Sequence, residues 1–353
     1  MTDLENFRAT TEHRTPGRIL FYAGFTPDLQ RRVIEHIGTD DIAGHYGFAR
    51  NAAVGLRRPD GVPPVDYSKY WEGVDLPEGT TFGGGVAHVP GSVYHFTHMI
   101  SPLRNAASLA EIENYPLDDL STWDSSHVRA EVDKAHADGR YVTGWVGHMY
   151  ESAWQIRGYE QFLVDLMERP SWAECLLERL HQQKMAIATA LARGGVDCLN
   201  CGDDVANQKA PMFSPDIWRN LFHWRWRKVW RAVKDINPEC RIWYHSDGDV
   251  TQFVPEMVDD GLDILNPVQP ECVDVESIHK RFGARLTFDG LIGTQSTMPW
   301  GTPDAVRARV REVIDSYGRN GGLIVSPTHV LEPEVPLANI DALCDECRRY
   351  GTF

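Results

Sequence analysis

The stretch from 240 to 270, CRIWYHSDGDVTQFVPEMVDDGLDILNPVQP, contains the pattern that decides the fold. It begins and ends with short runs of apolar and β-branched residues, and a segment with helical spacing lies between them near 250–260. Two buried strands joined by a helix form a right-handed βαβ unit, in which the strands are parallel. The stretch therefore predicts one repeat of a parallel α/β fold.

The same alternation of strand and helix extends over most of the chain. An eighth strand is expected within 40–130, and the other strand-like runs are 17–25, 141–147, 196–204, 285–293 and 321–329. Eight such units close into a (β/α)8 TIM-type barrel. An open doubly wound sheet is disfavoured because no Gly-x-Gly-x-x-Gly follows a strand. We predict an α/β fold with a single barrel domain over 1–353, elaborated by N-terminal helices and a hairpin insertion near 80–96.

The composition excludes several classes of protein. A net charge of −15 argues against non-specific nucleic-acid binding, which requires a basic surface. The chain has no apolar run of about 18 residues for a membrane span, and its N-terminus lacks the apolar core of a signal peptide. Seven cysteines in a long chain are not typical of a disulfide framework. We therefore expect a cytoplasmic protein with neither nucleic-acid nor membrane partners.

Two further patterns are interpreted as structural. Cys198 and Cys201 form a Cys-x-x-Cys pair, but residues three apart in a strand face opposite sides, so they do not predict a zinc ribbon with the second pair, Cys344 and Cys347. The segment 218–234, WRNLFHWRWRKVWRAVK, carries four tryptophans and a basic face. It is predicted to be an outer helix whose Arg and Lys stems cover an aromatic stripe.

Polar residues follow the C-terminal ends of the predicted strands in succession. In a (β/α)8 barrel these ends converge on one rim, where the active site is built. We therefore expect these residues to line one ligand site. They are His148, Glu151, Cys201, Asp203, Asp204, His245, Asp247, Asn266, Gln269, Asp289, Thr294, Gln295, Thr328 and His329.

His245 and Asp247 lie two residues apart at a strand end, so both side chains point to the same face. This spacing suits two ligands of one metal ion, a base and its orienting acid, or a turn aspartate beside a histidine bonded to backbone. His329, after the last strand, supplies a third candidate ligand, and Cys201 a fourth. Two histidines and a carboxylate suit zinc, iron or manganese.

Five segments of the chain resemble the uroporphyrinogen decarboxylase superfamily. Within it they are similar to the branch of decarboxylase-like proteins that includes corrinoid-linked methyltransferases. The segments occur in the family's order and are YESAWQIRGYEQFLVDLMERP (150–170), GDDVANQKAPMFSPDIWRNLF (202–222), YHSDGDV (244–250), LDILNPVQPE (262–271) and GGLIVSPTHVLEPEVPLANIDAL (321–343). The resemblance implies a (β/α)8 barrel with its cleft at the C-terminal strand ends.

This sequence departs from the family's patterns at two places. Uroporphyrinogen decarboxylases carry an Arg-Gln-Ala-Gly-Arg stretch that grips porphyrinogen carboxylates, whereas here the corresponding strand reads FYAGFTPDLQRR (21–32), so a porphyrinogen is not expected as substrate. The methyltransferases hold zinc with a His-x-Cys strand end and a second cysteine. The matching positions here are His245-Ser-Asp247 and Ser326-Pro-Thr-His329, which suit a harder site and an ether or amine donor.

The resemblance implies a methyltransferase that moves a methyl group from a small methoxylated or methylamine-type compound to a corrinoid protein or a folate. A divalent metal, with zinc the leading candidate, is expected at His245, Asp247 and His329. The catalytic candidates are Glu151, Asp203, Asp204 and His245, and the substrate-binding candidates are Tyr22, His148, Asn266, Gln269, Asp289 and Gln295. A cofactor-free decarboxylase or lyase acting on a small carboxylate is the alternative, followed by a binding protein. A homodimer is left open.

Overall fold

The computed structural model describes residues 1–91 and 98–353, which contain eleven strands and fifteen α-helices. The strands are β1 (Leu20–Phe21), β2 (Asn51–Val54), β3 (Thr81–Gly83), β4 (Val86–Val89), β5 (His98–Ile100), β6 (Tyr141–His148), β7 (Cys198–Gly202), β8 (Arg241–His245), β9 (Ile264–Val268), β10 (Thr287–Ile292) and β11 (Leu323–Pro327). The helices are α1 (Asp3–Thr11), α2 (Pro27–Ile37), α3 (Ile42–Tyr46), α4 (Leu109–Glu113), α5 (Val128–Ala137), α6 (Tyr150–Arg157), α7 (Tyr159–Glu168), α8 (Pro170–Gly194), α9 (Pro215–Ile217), α10 (Trp224–Ile236), α11 (Val254–Asp259), α12 (Val275–Phe282), α13 (Thr297–Trp300), α14 (Pro303–Val313) and α15 (Leu337–Tyr350). Short 3₁₀ turns occupy Ser68–Tyr70 and Leu120–Thr122, and π-helical segments occupy Trp218–His223 and Ile314–Gly318.

Eight strands form one curled parallel sheet in the order β1-β11-β10-β9-β8-β7-β6-β2. The two end strands, β1 and β2, lie close together. Ala49 comes just before β2, and its N–H donates a 3.0 Å hydrogen bond to Phe21 O in β1. Helices lie on the outside of this sheet, so the predicted (β/α)8 TIM-type fold is confirmed. All C-terminal strand ends share one rim.

The sequence of each strand reflects how much of it is buried. Every residue of β9, β10 and β11 is buried, since helices cover one side and the barrel interior the other. The interior contains a small apolar cluster of Phe7, Leu20, Cys198, Ile264 and Ile324. Phe7 comes from α1, which therefore supplies part of the barrel's interior packing.

Several predicted boundaries change in the structure. The run 17–25 forms only the two-residue strand β1. Helices α7 and α8 are separate, because Pro170 cannot continue the preceding helix. Ser214 caps α9, and its side chain accepts a 3.3 Å hydrogen bond from Ile217 N.

The predicted hairpin near 80–96 is represented by β3 and β4, which pair antiparallel, with β5 added beside β4. Residues 92–96 of that prediction lie outside the described residues. The assignment of 1–353 to a single domain stays a prediction. Among the helices described, none combines the length and the apolar character needed to cross a membrane.

Candidate functional site

A cluster of two carboxylates and an imidazole lies at the C-terminal ends of β7 and β8. His245 Nε2 is 3.6 Å from Asp204 Oδ1 and 4.0 Å from Asp247 Oδ1. One potential ligand atom from each of the three residues lies within 4.8 Å of the other two. His329, after β11, brings its Nε2 to 4.0 Å from Asp247 Oδ2. We call these four residues the candidate metal centre.

The register of β7 against β8 builds this cluster. Gly202 pairs with His245, and Asp203 N donates a 2.9 Å hydrogen bond to His245 O. A Cβ atom at Gly202 would lie 2.4 Å from His245 O, so only glycine fits there. This close approach brings Asp204 beside His245, and Asp247 N then donates a 2.8 Å hydrogen bond to Asp204 Oδ1.

The loop after β8 is shaped by a glycine and an amide. Gly248 has a φ of +86°, and a Cβ atom there would lie 2.5 Å from Asn207 O. Its N–H donates a 2.7 Å hydrogen bond to Oε1 of the buried Gln269. Gln269, predicted to contact substrate, therefore holds the backbone next to Asp247.

A hydrogen-bonded chain orients the imidazole of His245. Its Nδ1 lies 2.7 Å from Asn266 Oδ1, and Asn266 Nδ2 donates to Tyr22 Oη at 3.3 Å. The Tyr22 hydroxyl in turn lies 3.0 and 3.1 Å from the two carboxylate oxygens of Asp289, to which it donates. Because the amide nitrogen of Asn266 donates to Tyr22, its amide oxygen is the atom that faces His245. That oxygen can only accept, so Nδ1 of His245 carries the hydrogen. Nε2 then presents its lone pair to Asp204 and Asp247, as a metal ligand does.

Asp289 is buried at the far end of this chain. Its carboxylate also accepts hydrogen bonds from Trp243 Nε1 at 2.8 Å and Ser326 Oγ at 2.8 Å. Burial raises the pKa of Asp289, and the donors Trp243, Ser326 and Tyr22 act in the opposite direction. The indole of Trp243 stacks on the ring of His245, with centroids 5.8 Å apart.

A second polar group lies beside the centre. His148 Nδ1 is 2.6 Å from Glu151 Oε2, which also accepts a 3.2 Å hydrogen bond from Asp204 N. Burial lowers the pKa of His148, but the hydrogen bond and the charge of Glu151 outweigh it, so the pKa is raised. Trp145, which is 52% exposed, packs edge to face against His148, with ring centroids 5.1 Å apart.

Asp203 is completely buried and both its carboxylate oxygens are engaged. Oδ1 accepts hydrogen bonds from the backbone of Met149 and Tyr150, both at 2.7 Å, and from Glu151 N at 3.3 Å. Oδ2 accepts a 2.7 Å hydrogen bond from Trp226 Nε1. Burial, followed by the charge of Glu151, raises the pKa of Asp203 to about 7, against the effect of these donors. Its contacts are those of a residue that holds the start of α6 against β7.

Two predicted site residues lie away from the cluster. Cys201 faces the outer helices, where it contacts Trp230, and burial raises the pKa of its thiol. Strand parity accounts for this, because Cys198, three residues earlier, packs inside the barrel. Gln295 is exposed in the turn after β10, and within the described residues its side chain makes no hydrogen bond to the cluster.

Sequence reasoning missed Trp243, Ser326 and Asn200, which face the barrel interior. Trp243 and Ser326 both donate to Asp289. The signal for Trp243 was present, since it lies two residues before His245 and shares its inward face. Ser326 and Asn200 sit in apolar strands with no comparable signal.

Comparisons with known proteins were consistent with this architecture. A family model described as uroporphyrinogen decarboxylase (URO-D) matches residues 100–350. The structure is similar to a methyltransferase from Methanosarcina mazei, with 15% identity, a TM-score of 0.67 and 99% of both chains covered. At that identity the likeness shows the fold.

Other structural overlaps are too low to carry an argument. An α-amylase from Geobacillus thermoleovorans has 11% identity and a TM-score of 0.38, with 65% of this chain and 63% of that chain covered. A thermostable mutant of a xylanase from Cellvibrio japonicus has 13% identity and a TM-score of 0.39, with 68% and 88% covered. No curated protein sequence matches the chain. The URO-D match extends over well more than half of the chain, and the protein therefore belongs to the uroporphyrinogen decarboxylase family.

Proposed function

We propose that this protein is a metal-assisted methyltransferase. It takes a methyl group from a small methoxylated or methylamine-type compound and passes it to a corrinoid protein or to a folate. The observation that carries the proposal is the meeting of Asp204, His245 and Asp247 within 4.8 Å at the barrel rim. The fold shared with a methyltransferase over 99% of both chains supports it.

The donor set fits a divalent metal. Carboxylate oxygens and an imidazole nitrogen suit zinc, manganese or iron, and the fixed Nδ1–H of His245 leaves Nε2 as the ligand atom. Asp204, Asp247 and His329 would complete the set. A bound zinc ion would supply Lewis acidity at the heteroatom from which the methyl group departs.

The chain's own residues bind, orient and move protons around this centre. The pair of His148 and Glu151 holds a proton between Nδ1 and Oε2, and the raised pKa of His148 favours its protonated form as the proton donor to the departing heteroatom. Asp203 positions this pair by binding the backbone that carries it. Gln269 and Asn266 position the ligands Asp247 and His245.

The alternative, decarboxylation of a small carboxylate, is less well supported, because the barrel interior beside the centre contains a cavity of unsuitable charge. Its described lining contains no Lys or Arg to pair with a carboxylate and includes the carboxyl group of Asp289. A substrate carboxylate there would face a like charge at short range, which is unfavourable. A corrinoid partner, a homodimer and a cytoplasmic location remain predictions.

The test combines metal content with turnover. Purified wild-type protein, His245→Ala and the surface control His45→Ala are analysed for bound metal. Each is then incubated with guaiacol, a neutral methoxylated phenol, or with trimethylamine, and with reduced cobalamin or tetrahydrofolate. We expect metal and methyl transfer in the wild type and the control, and loss of both in His245→Ala. Carbon dioxide release from a carboxylated substrate by metal-free wild-type protein would contradict the proposal and favour the decarboxylase.

A further inference from the structure

A cavity of about 280 Å³ occupies the barrel interior beside the candidate metal centre. Trp243 lies between the two, because it lines the cavity and stacks on His245 two residues later in β8. The volume corresponds to roughly nine water molecules at ~30 Å³ each, which suits a small organic molecule. Barrel interiors are normally filled by side chains, so an unfilled volume of this size departs from the usual packing.

Aromatic rings form much of the cavity wall. Phe7, Tyr22, Tyr141 and Trp243 all line it. Phe7 and Tyr141 stack face to face, with centroids 4.3 Å apart and an interplanar angle of 3°, so each ring holds the other in place in the wall. The faces of aromatic rings carry negative electrostatic potential and attract organic cations.

The described wall contains one carboxyl group. Asp289 supplies a buried carboxyl group, and its donors Trp243, Ser326 and Tyr22 are all neutral. Asn200 Oδ1 is buried and accepts no hydrogen bond within the part of the chain that the structure describes. Since no Lys or Arg belongs to the described lining, nothing there balances the carboxylate.

The cavity is reached from the rim side of β2 and β6. Asn51 is exposed and Thr143 is partly exposed, although both line the interior cavity. They are joined by a 2.9 Å hydrogen bond from Asn51 Nδ2 to Thr143 Oγ1. The net charge of −15 also favours the approach of cations over anions.

The geometry points to a substrate that is a small organic cation, whose ammonium group binds in this aromatic cavity beside the candidate metal centre. This inference rests on the proposed function for the reaction, and it names the substrate class. Binding of the ammonium group requires neither the metal nor methyl transfer. An experiment can therefore contradict the cation site without contradicting the proposed function, and the reverse.

The first test compares two probes of nearly the same shape on metal-free wild-type protein by calorimetry. Choline and 3,3-dimethyl-1-butanol differ in whether nitrogen or carbon bears the methyl groups, and only choline is charged. We expect choline to bind about ten-fold tighter or more, from the rings and the carboxylate together. Equal affinities, tighter binding of the neutral alcohol, or no binding of either would overturn the inference. Absence of metal or of methyl transfer would count against the proposed function alone.

The second test locates the binding site. Tyr141→Leu removes a ring, Asp289→Asn removes the charge, and Trp300→Leu changes a tryptophan that is 74% exposed outside the barrel. We expect about a ten-fold loss of choline affinity in each cavity variant and none in Trp300→Leu. Thermal melts identify a variant that does not fold. If a cavity variant does not fold, the comparison of choline with 3,3-dimethyl-1-butanol on the wild type tests the inference instead. Unchanged choline affinity in a folded Tyr141→Leu and Asp289→Asn would overturn the assignment.

Discussion

Asn266 Oδ1 lies 2.7 Å from His245 Nδ1, and this single contact determines which nitrogen of the imidazole faces the two carboxylates. With Nδ1 protonated, Nε2 directs a lone pair at Asp204 and Asp247. The lone pair of Nε2 and the two carboxylates repel one another unless a cation or a proton lies between them. The hydrogen bond that Asn266 Oδ1 accepts from His245 is therefore expected to matter for metal binding, although Asn266 is not a ligand.

The first prediction concerns this contact. Asn266→Leu should weaken zinc binding by about 10–100-fold, because the imidazole loses the partner that fixes its tautomer and orientation. Competition with a chromogenic chelator measures the affinity. The control is Asn220→Leu, at an exposed amide. A folded Asn266→Leu protein with wild-type zinc affinity would refute the orienting role.

The second prediction concerns Cys201. Because its thiol faces the outer helices beside Trp230, Cys201→Ala should retain the zinc content of the wild type. Elemental analysis after dialysis against zinc gives the ratio of metal to protein. His245→Ala, treated in parallel, provides the metal-poor reference. A loss of zinc in Cys201→Ala comparable to that reference would mean that the thiol reaches the rim.

The third prediction compares two glycines with similar backbone conformations. Gly248 has a φ of +86° and Gly61 a φ of +78°, but only at Gly248 would a Cβ atom collide with backbone, at 2.5 Å from Asn207 O. Alanine carries the same left-handed strain at both positions. Gly248→Ala should therefore lower the free energy of unfolding by about 2 kcal/mol more than Gly61→Ala. Urea denaturation measures both, and equal losses would show that the loop adapts freely.

The fourth prediction concerns the buried Lys184 on α8. Burial lowers the pKa of its ammonium group from 10.5 to about 8. Between these values the unfolded chain binds more protons than the folded protein, so this group's contribution to stability rises with pH. Relative to Lys184→Met, the wild type should gain about 2 kcal/mol of unfolding free energy from about pH 7 to about pH 9.5.

Urea denaturation at both pH values tests this prediction. Lys280→Met, at an exposed lysine, is the control and should follow the wild type. The difference between wild type and Lys184→Met removes the contributions of other groups, such as the buried tyrosines. A constant difference across the two pH values would contradict the lowered pKa.

The parts of the fold that could be predicted from sequence are those with long apolar runs. Strands β6 to β11 were recognised because their runs of buried residues are bounded by turn and helix signals. Strand β2 was not located, since its four residues include two exposed ones and form no apolar run. Strand β1 is only two residues long, so its predicted extent was too great.

The candidate site also contains features that local sequence predicts and features that only the fold creates. The shared face of His245 and Asp247 follows from their spacing and needs no structure. The proximity of Asp204 depends on the pairing of Gly202 with His245, which local sequence does not encode. The cavity beside the centre depends on side chains from α1, β1, β6 and β8 meeting inside a closed sheet, a long-range arrangement that no single segment signals.

The wall of the barrel cavity comes from two parts of the sequence. Tyr141, Trp243 and Asp289 lie within the span that matches the family, 100–350, whereas Phe7 and Tyr22 precede it. Tyr22 also accepts a hydrogen bond from Asn266, which orients His245. The residues before 100 therefore contribute both to the space inside the barrel and to the orientation of a proposed metal ligand.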